Sequence, residues 1–179
     1  MDRVSIEFDY ITPETHDMIL YFDCEDDGLN RYLKEKAYQD EKNNFVTVHL
    51  AIDVDKNRII GYYALKNTSL LYTVDNKGIR GLPATEIYMF AVDKEYQGKK
   101  YNRKNYSSFI LDNAISKITS NSEEISASRF IIVNSLKRSV NFYKKHNDFE
   151  DFKSFMSYLD DDLSINNDEK YLLLRKIIY

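Results

Sequence analysis

The chain has 179 residues, of which 43% are hydrophobic and 30% charged, and this composition excludes a disordered or fibrous protein. The net charge of −4 excludes a global positive field, so any surface that binds nucleic acid or another anion has to be local. The only cysteine, Cys24, excludes an internal disulfide, and we expect it to be buried and inert.

Nothing in the sequence suggests export or membrane insertion. The first residues lack the apolar stretch of a signal peptide, and no run approaches the roughly 18 apolar residues of a membrane span. No change in composition marks a linker. We therefore expect a single domain over residues 1–179, located in the cytoplasm, with no membrane partner.

The first elements are a strand and two helices. Residues 4–10 predict a strand, and Pro13 then begins a short helix with Thr12 as its cap. A longer helix is predicted from Asp26 to about Gln39, with aspartates at its start, where the helix dipole favours negative charge. Its apolar residues at near-helical spacing are Leu29, Tyr32, Leu33 and Ala37.

Three strands follow. Residues 45–53 alternate, with His49 and Asp53 on the more polar face, and a turn at 55–58 joins them to a partner strand at 59–65. The run Y-M-F-A-V at 88–92 is apolar without alternation, which is typical of a strand buried on both faces.

The second half alternates helices and strands. A helix that packs on a sheet follows the basic turn, because Leu111, Ala114, Ile115 and Ile118 recur at helical spacing. A strand at 129–135, a helix marked by Val140 and Tyr143, and strands at 149–155 and 170–179 complete the chain, with a solvated acidic loop at 160–169. The order βααβββαβαββ predicts a mixed sheet with helices on both faces.

Between the strand at 88–92 and the next helix lies a strongly basic turn. It holds five cationic side chains and one acid, Glu95, and a helix start is a ready site for phosphate. Its charge alone fits a solvated turn equally well. The cationic residues are Lys94, Lys99, Lys100, Arg103 and Lys104.

Four segments, in this order, resemble the GNAT superfamily of acetyl-CoA-dependent N-acetyltransferases. They are I-I-G-Y-Y-A-L at 59–65, L-P-A-T-E-I at 82–87, F-A-V-D-K-E-Y-Q-G-K at 90–99 and S-V-N-F-Y-K-K-H-N-D-F at 139–149. The opening helices at 22–42 resemble the subgroup that includes acetyltransferase toxins of bacterial toxin–antitoxin pairs. The resemblance implies a GNAT fold of the α/β (α+β) class, with a central, mixed, mostly antiparallel twisted sheet of six to seven strands.

The resemblance also implies an acyltransferase that moves an acetyl group from acetyl-CoA to a primary amine, without a metal. The amine acceptor belongs to an aminoacyl-tRNA, a polyamine or a peptide, and the acidic composition leaves these alternatives open. The implied protein partners are an antitoxin and a second copy of the chain in a homodimer.

In the family, the turn after the central strand follows the pattern Gln/Arg-x-x-Gly-x-Gly/Ala and binds the pyrophosphate of coenzyme A. Gln97 matches the first position, but Lys100 and Asn102 replace the glycines, and a lysine with positive φ is strained. We expect Gly98 to absorb some of this strain and cations to offset weaker main-chain contacts. The alternative is a degenerate interaction or regulatory module with weak or no acetyl-CoA binding. The residues expected to bind the cofactor in this turn are Gln97, Gly98, Lys99, Lys100, Tyr101, Asn102 and Arg103.

The resemblance assigns the remaining site residues. Main-chain groups of Phe90, Ala91 and Val92 hold the pantetheine arm and polarise the thioester carbonyl. Tyr143 protonates the coenzyme A thiolate, although a core tyrosine would show the same pattern.

Two polar residues, Asn134 and Glu86, either act in the reaction or have an ordinary structural role. Asn134 binds the pantetheine amide or begins the next helix, and Glu86 is a general base for the amine or a solvated acid. The three histidines show no metal-ligand spacing, and His49 is expected to be a neutral, satisfied side chain.

Overall fold

A computed structural model of the chain describes residues 4–74, 78–146, 148–151 and 170–177. The chain divides into two compact units. Unit 1 consists of Met1–Lys66 and Tyr88–Ala114, and unit 2 consists of Asn67–Ile87 and Ile115–Tyr179. The prediction of a single domain therefore stays a prediction, and the two units are described separately.

Unit 1 begins with a strand and a helical region, as predicted. Strand β1 is Ile6–Tyr10, and a 3₁₀ turn, Pro13–Thr15, leads into helix α1, His16–Leu20. The predicted longer helix consists of α2, Asp27–Arg31, a π-helical turn, Tyr32–Lys36, and α3, Ala37–Lys42. The Asp26 carboxylate caps α2 by accepting a hydrogen bond from the Leu29 N–H at 3.0 Å.

The next three strands are β2, Thr47–Asp53, β3, Arg58–Val74, and β4, Gly78–Val92. The predicted hairpin is confirmed by the antiparallel β2–β3 pairing. Strands β3 and β4 are much longer than predicted. The prediction was too short because residues 66–87 are rich in Asn, Thr, Gly and Pro, which locally favour turns. Pairing between neighbouring strands overrides that local preference.

A short hairpin precedes the central helix. Its strands are β5, Lys100–Tyr101, and β6, Lys104–Asn105, which pair antiparallel. Helix α4 follows directly, spans Tyr106–Asn121 and confirms the predicted helix. It runs from unit 1 into unit 2 and ends in a π-helical turn, Ser122–Ser126.

The remaining elements belong to unit 2. They are β7, Phe130–Leu136, α5, Val140–His146, β8, Glu150–Asp151, and β9, Lys170–Lys176. Predicted strand residues 152–155 and the predicted acidic loop lie outside the described residues.

Hydrogen bonds connect the strands in the order β1-β2-β3-β4 and then β4-β7-β9-β8, and β4 contributes residues to both units. The β4–β7 pair is parallel, joining Ala84–Ile87 with Phe130–Val133. The pairs β1–β2, β2–β3, β7–β9 and β8–β9 are antiparallel. The predicted mixed, mostly antiparallel sheet is confirmed.

Helices cover both faces of the sheet in unit 1. One core joins α1 and the residues around the π-helical turn to Val48, Leu50 and Tyr62. The other joins α4 to Ala51, Ile60 and Tyr63. The more polar face of β2 is consequently also buried, and Asp53 has no exposed surface.

The expectation that residues 88–92 are buried on both faces of the sheet was only partly right. Ala91 and Val92 are buried, whereas 39% of Tyr88 is exposed and Met89 and Phe90 are half-buried. None of the helices in the described ranges combines the length and the apolar character that crossing a bilayer requires.

Candidate functional site

The turn after β4 is organised by Asp93, which is only 1% exposed. Its N–H donates to the Ile60 carbonyl at 2.8 Å, and its own carbonyl accepts from the N–H groups of Tyr96 and Gln97 at 2.9 and 3.1 Å. Its carboxylate accepts from the Glu95 N–H at 2.9 Å, which closes a local turn typical of aspartate. Our sequence analysis missed this residue, although an aspartate directly after a buried strand is a turn signal.

The strained positions agree only in part with those predicted. Lys100 is in strand β5, so it does not carry the expected positive φ, and that prediction was wrong. Positive φ occurs as expected at Gly98 (69°) and Asn102 (47°), and also at Arg103 (73°), where the glycine pattern does not predict it. A two-residue hairpin loop with positive φ at both positions is the type I′ arrangement, and it explains why asparagine is tolerated here. Helix α4 begins only after this hairpin.

Ion pairs neutralise two of the five cations predicted for the turn. Lys94 lies 2.7 Å from the Asp23 carboxylate, and Lys104 lies 2.5 Å from that of Asp112. The other three have exposed side chains and form no ion pair within the described part of the chain. The positive charge available to a ligand therefore comes from Lys99, Lys100 and Arg103.

The Gln97 side chain faces the protein instead of a ligand. Its amide nitrogen donates to the carbonyls of Cys24 and Val92 at 3.1 and 2.9 Å. Its main-chain N–H donates to Asp93. All the N–H groups of Gln97 therefore bind acceptors within the protein, and its role in binding the cofactor stays a prediction.

Tyr101 fixes the hairpin to α4. Its ring centroid lies 5.5 Å from that of Tyr106 and 4.8 Å from that of Phe109. The first turn of α4 is also held by the edge-to-face contact of Tyr96 with Tyr106 at 5.1 Å. The aromatic contacts give the basic hairpin a rigid base.

The end of β4 approaches β3 very closely. A Cβ on Gly61 would lie 2.7 Å from the Ala91 carbonyl oxygen, so the main-chain groups of Ala91 face β3. Because main-chain direction alternates along a strand, the groups of Phe90 and Val92 point to the opposite edge. The ladder with β7 ends at Ile87, so these residues lie beyond it. The main-chain groups of Phe90 and Val92 therefore lie on the edge of β4 away from β3, whereas those of Ala91 face β3, and the binding role of all three stays a prediction.

In unit 2, two predicted site residues come together. The Asn134 amide donates to the Glu86 carboxylate at 2.8 Å. Asn134 is inside β7, so the alternative that it begins the next helix was wrong. Glu86 is half-buried and bound by an amide, which differs from a freely solvated acid.

Tyr143 is deeply buried in α5, with 5% of its surface exposed. Its ring packs edge-to-face on Phe142 and Phe149, with centroids at 5.1 and 5.5 Å. Burial raises the pKa of the Tyr143 phenol above its usual value, so the side chain stays protonated at neutral pH.

Cys24 and His49 are both buried, and the expectation for Cys24 was right. Cys24 is buried with a free thiol, and burial raises the pKa of that thiol, which makes it unreactive. His49 is buried between Tyr10 and Tyr63, with ring centroids at 4.7 and 4.9 Å. Across the described ranges, no group of three or more His, Cys, Asp or Glu residues is arranged to hold a metal ion.

Comparisons with known proteins gave matches only among solved structures. No model of a protein family and no curated protein matches the chain. A tyrosine-to-phenylalanine mutant of the protein KacT superposes with a TM-score of 0.73 at 17% identity, covering 96% of this chain and 95% of that one.

Two structures of the toxin AtaT are similar at the same level. One is a mutant bound to acetyl-CoA and the C-terminus of the antitoxin AtaR, with a TM-score of 0.70, 15% identity and coverage of 96% and 93%. The other is AtaT complexed with acetyl-methionyl-tRNAfMet, with a TM-score of 0.69, 15% identity and coverage of 94% of each chain. The chain therefore has the GNAT fold of these toxins, which confirms the predicted fold.

Proposed function

We propose that this protein is an N-acetyltransferase that uses acetyl-CoA to acetylate a primary amine, with an aminoacyl-tRNA as its acceptor. The fold carries the proposal, because the similarity extends over nearly the whole of both chains. Structures with that fold include one with bound acetyl-CoA and one with an acetylated aminoacyl-tRNA.

The residues of the basic turn fit acetyl-CoA. Gly98 has open space where a Cβ would be, and among the described residues its N–H has no acceptor. The main-chain N–H groups of Asn102 and Arg103 are also unused within the described ranges. With the cations of Lys99, Lys100 and Arg103, they form a set of donors suited to phosphate oxygens.

When bound, acetyl-CoA supplies an acetyl thioester. Phe90 and the Val92 N–H offer main-chain groups along one edge of β4 to the pantetheine arm. Tyr143 holds a proton at its phenol oxygen, and the Asn134 amide orients the Glu86 carboxylate, which accepts a proton from the attacking amine.

An RNA acceptor needs positive charge outside the turn, because the chain as a whole is acidic. Unit 2 carries exposed Lys137, Arg138, Lys144 and Lys145 at and before α5. Lys144 is paired with Asp151 at 2.5 Å, so it contributes less than the others. A polyamine or a peptide amine is the competing acceptor, and a direct comparison of acceptors distinguishes them.

The toxins with this fold also suggest partners. Because AtaT forms a complex with an antitoxin, we propose that an antitoxin neutralises this protein too. Production of the protein alone should then arrest bacterial growth, and the Tyr143→Phe variant should not. The homodimer stays a prediction, which sedimentation of the purified protein tests.

Titration with acetyl-CoA in a calorimeter tests the proposal against the degenerate module. The conformation of Lys100 supports the enzyme over the module, because this residue lies in β5 and has no positive φ. We expect micromolar binding with one site per chain. Absence of binding at millimolar acetyl-CoA would overturn the enzyme and support the interaction module.

A further inference from the structure

A loop near the N-terminus is bonded to the turn that follows β4. The Asp23 N–H donates to the Asp93 carboxylate at 3.0 Å, and the Lys94 N–H donates to the Asp23 carbonyl at 2.8 Å. The Gln97 amide adds its bond to the Cys24 carbonyl. We name Asp23, Cys24, Asp93 and Gln97 the clamp, and all four belong to unit 1.

The Asp93 carboxylate makes the strongest hydrogen bonds of the clamp. Its two oxygens have separate partners, because one accepts from Glu95 within the turn and the other from Asp23 across the clamp. Arg58 lies 4.0 Å away and partly balances the buried charge. Since hydrogen bonds to a buried charged group are among the stronger ones in proteins, this contact holds the loop more firmly than the exposed Lys94–Asp23 ion pair does.

The loop is in turn bonded to helix α2. The Asn30 side chain accepts from the Cys24 N–H and donates to the Asp23 carboxylate, both at 2.9 Å. Glu25, which follows Cys24 in the loop, has a positive φ of 64°, and its N–H donates to the Asp23 carboxylate at 2.9 Å. A continuous set of hydrogen bonds therefore runs from α2 through Asp23 to the turn.

We infer that Asp93 is a positioning residue that fixes the turn for acetyl-CoA through the loop before α2. This inference rests on the proposed function of the turn. No residue of the clamp has to touch the ligand, since Gln97 and Asp93 bind acceptors and donors within the protein. The affinity of the turn for acetyl-CoA consequently depends on Asn30, which belongs to a different element.

Two isosteric variants of the turn test the inference. They are a matched pair, because each removes one negative charge from the turn. Asp93→Asn loses one of the two acceptor oxygens, and Glu95→Gln loses only the ion pair with Arg58 at 2.7 Å. Calorimetry with acetyl-CoA should show Kd raised about tenfold for Asp93→Asn, the equivalent of one charged hydrogen bond. Glu95→Gln should bind as well as the wild type or slightly better, because the ligand is an anion.

A purely structural role gives another pattern. Loss of folded protein lowers the calorimetric stoichiometry but leaves Kd unchanged, whereas a positioning role raises Kd and KM for acetyl-CoA and leaves kcat at saturation within about threefold. A Kd for Asp93→Asn equal to that of Glu95→Gln overturns the inference.

Asn30→Ala decides the matter if Asp93→Asn fails to fold, because it changes no residue of the turn. We expect its Kd for acetyl-CoA to rise about threefold, the equivalent of a neutral hydrogen bond. A wild-type Kd for this variant refutes the inference while leaving the proposed function intact. If the wild type itself does not bind acetyl-CoA, both are overturned.

Discussion

Replacing Gly61 by alanine tests whether close packing of β3 on β4 sets the shape of the cofactor site. The added methyl group would lie 2.7 Å from the Ala91 carbonyl oxygen and 2.8 Å from the Ile110 Cδ1 atom. The Ile110 side chain can rotate away, but the carbonyl moves only with β4. Overpacking of this kind costs about 1–3 kcal/mol, which lowers Tm by roughly 3–10 °C for a chain of this size.

Thermal unfolding and calorimetry with acetyl-CoA measure both consequences of Gly61→Ala. Besides the lower Tm, we expect Kd to rise, because displacement of β4 moves the main-chain groups of Phe90 and Val92. Gly81→Ala is the matched control in β4, since its methyl group would meet side chains and no main-chain atom, those of Ser69 at 3.2 Å and Leu71 at 3.6 Å. If Gly61→Ala matches Gly81→Ala in Tm and Kd, the close contact does not shape the site.

Further substitutions and a pH series test the remaining assignments. Tyr143→Phe should keep acetyl-CoA binding and lower kcat about 10²-fold or more in steady-state assays; an unchanged kcat contradicts its role as acid. Glu86→Gln retains the oxygen that accepts from Asn134, so a fall in kcat of about 10²-fold reports loss of the base alone, and full activity leaves Glu86 a structural residue. Tyr96→Phe removes the hydroxyl that donates to buried Asp53 at 2.7 Å and should cost about 1–3 kcal/mol in urea unfolding; no loss would show that Asp53 finds another donor. Burial raises the folded-state pKa of six of the described tyrosines, so their contribution to stability is complete below about pH 10 and is lost as pH rises further; a constant Tm up to pH 11 would contradict this. The six are Tyr32, Tyr62, Tyr63, Tyr96, Tyr106 and Tyr143.

The parts of the fold that sequence predicts well have strong local signals. Helix α4 follows from its apolar spacing, and the start of α2 follows from Asp26, whose carboxylate caps it. The extensions of β3 as far as Val74 and of β4 back to Gly78 have no such signal, because pairing between strands determines them.

The sequence likewise predicts some features of the candidate site and not others. The sequence locates the basic turn and the positive φ of Asn102, but comparison with a glycine pattern misplaces the second strained position, because the hairpin has positive φ at Arg103 and not at Lys100. The role of Asp93 could not be predicted, since its partner Asp23 is 70 residues away in the sequence. Periodicity and motifs carry no information about a contact of that range.

Mass spectrometry of aminoacyl-adenosines tests the proposed activity most directly. Charged tRNA is incubated with the protein and acetyl-CoA, and the aminoacyl-adenosines are then released by nuclease. We expect at least one of them to gain about 42 mass units, the mass of one acetyl group, with wild type and not with Tyr143→Phe. If no aminoacyl-adenosine gains this mass while spermidine or a peptide amine does, the acceptor is wrong; if no amine gains it, the protein is not an acetyltransferase.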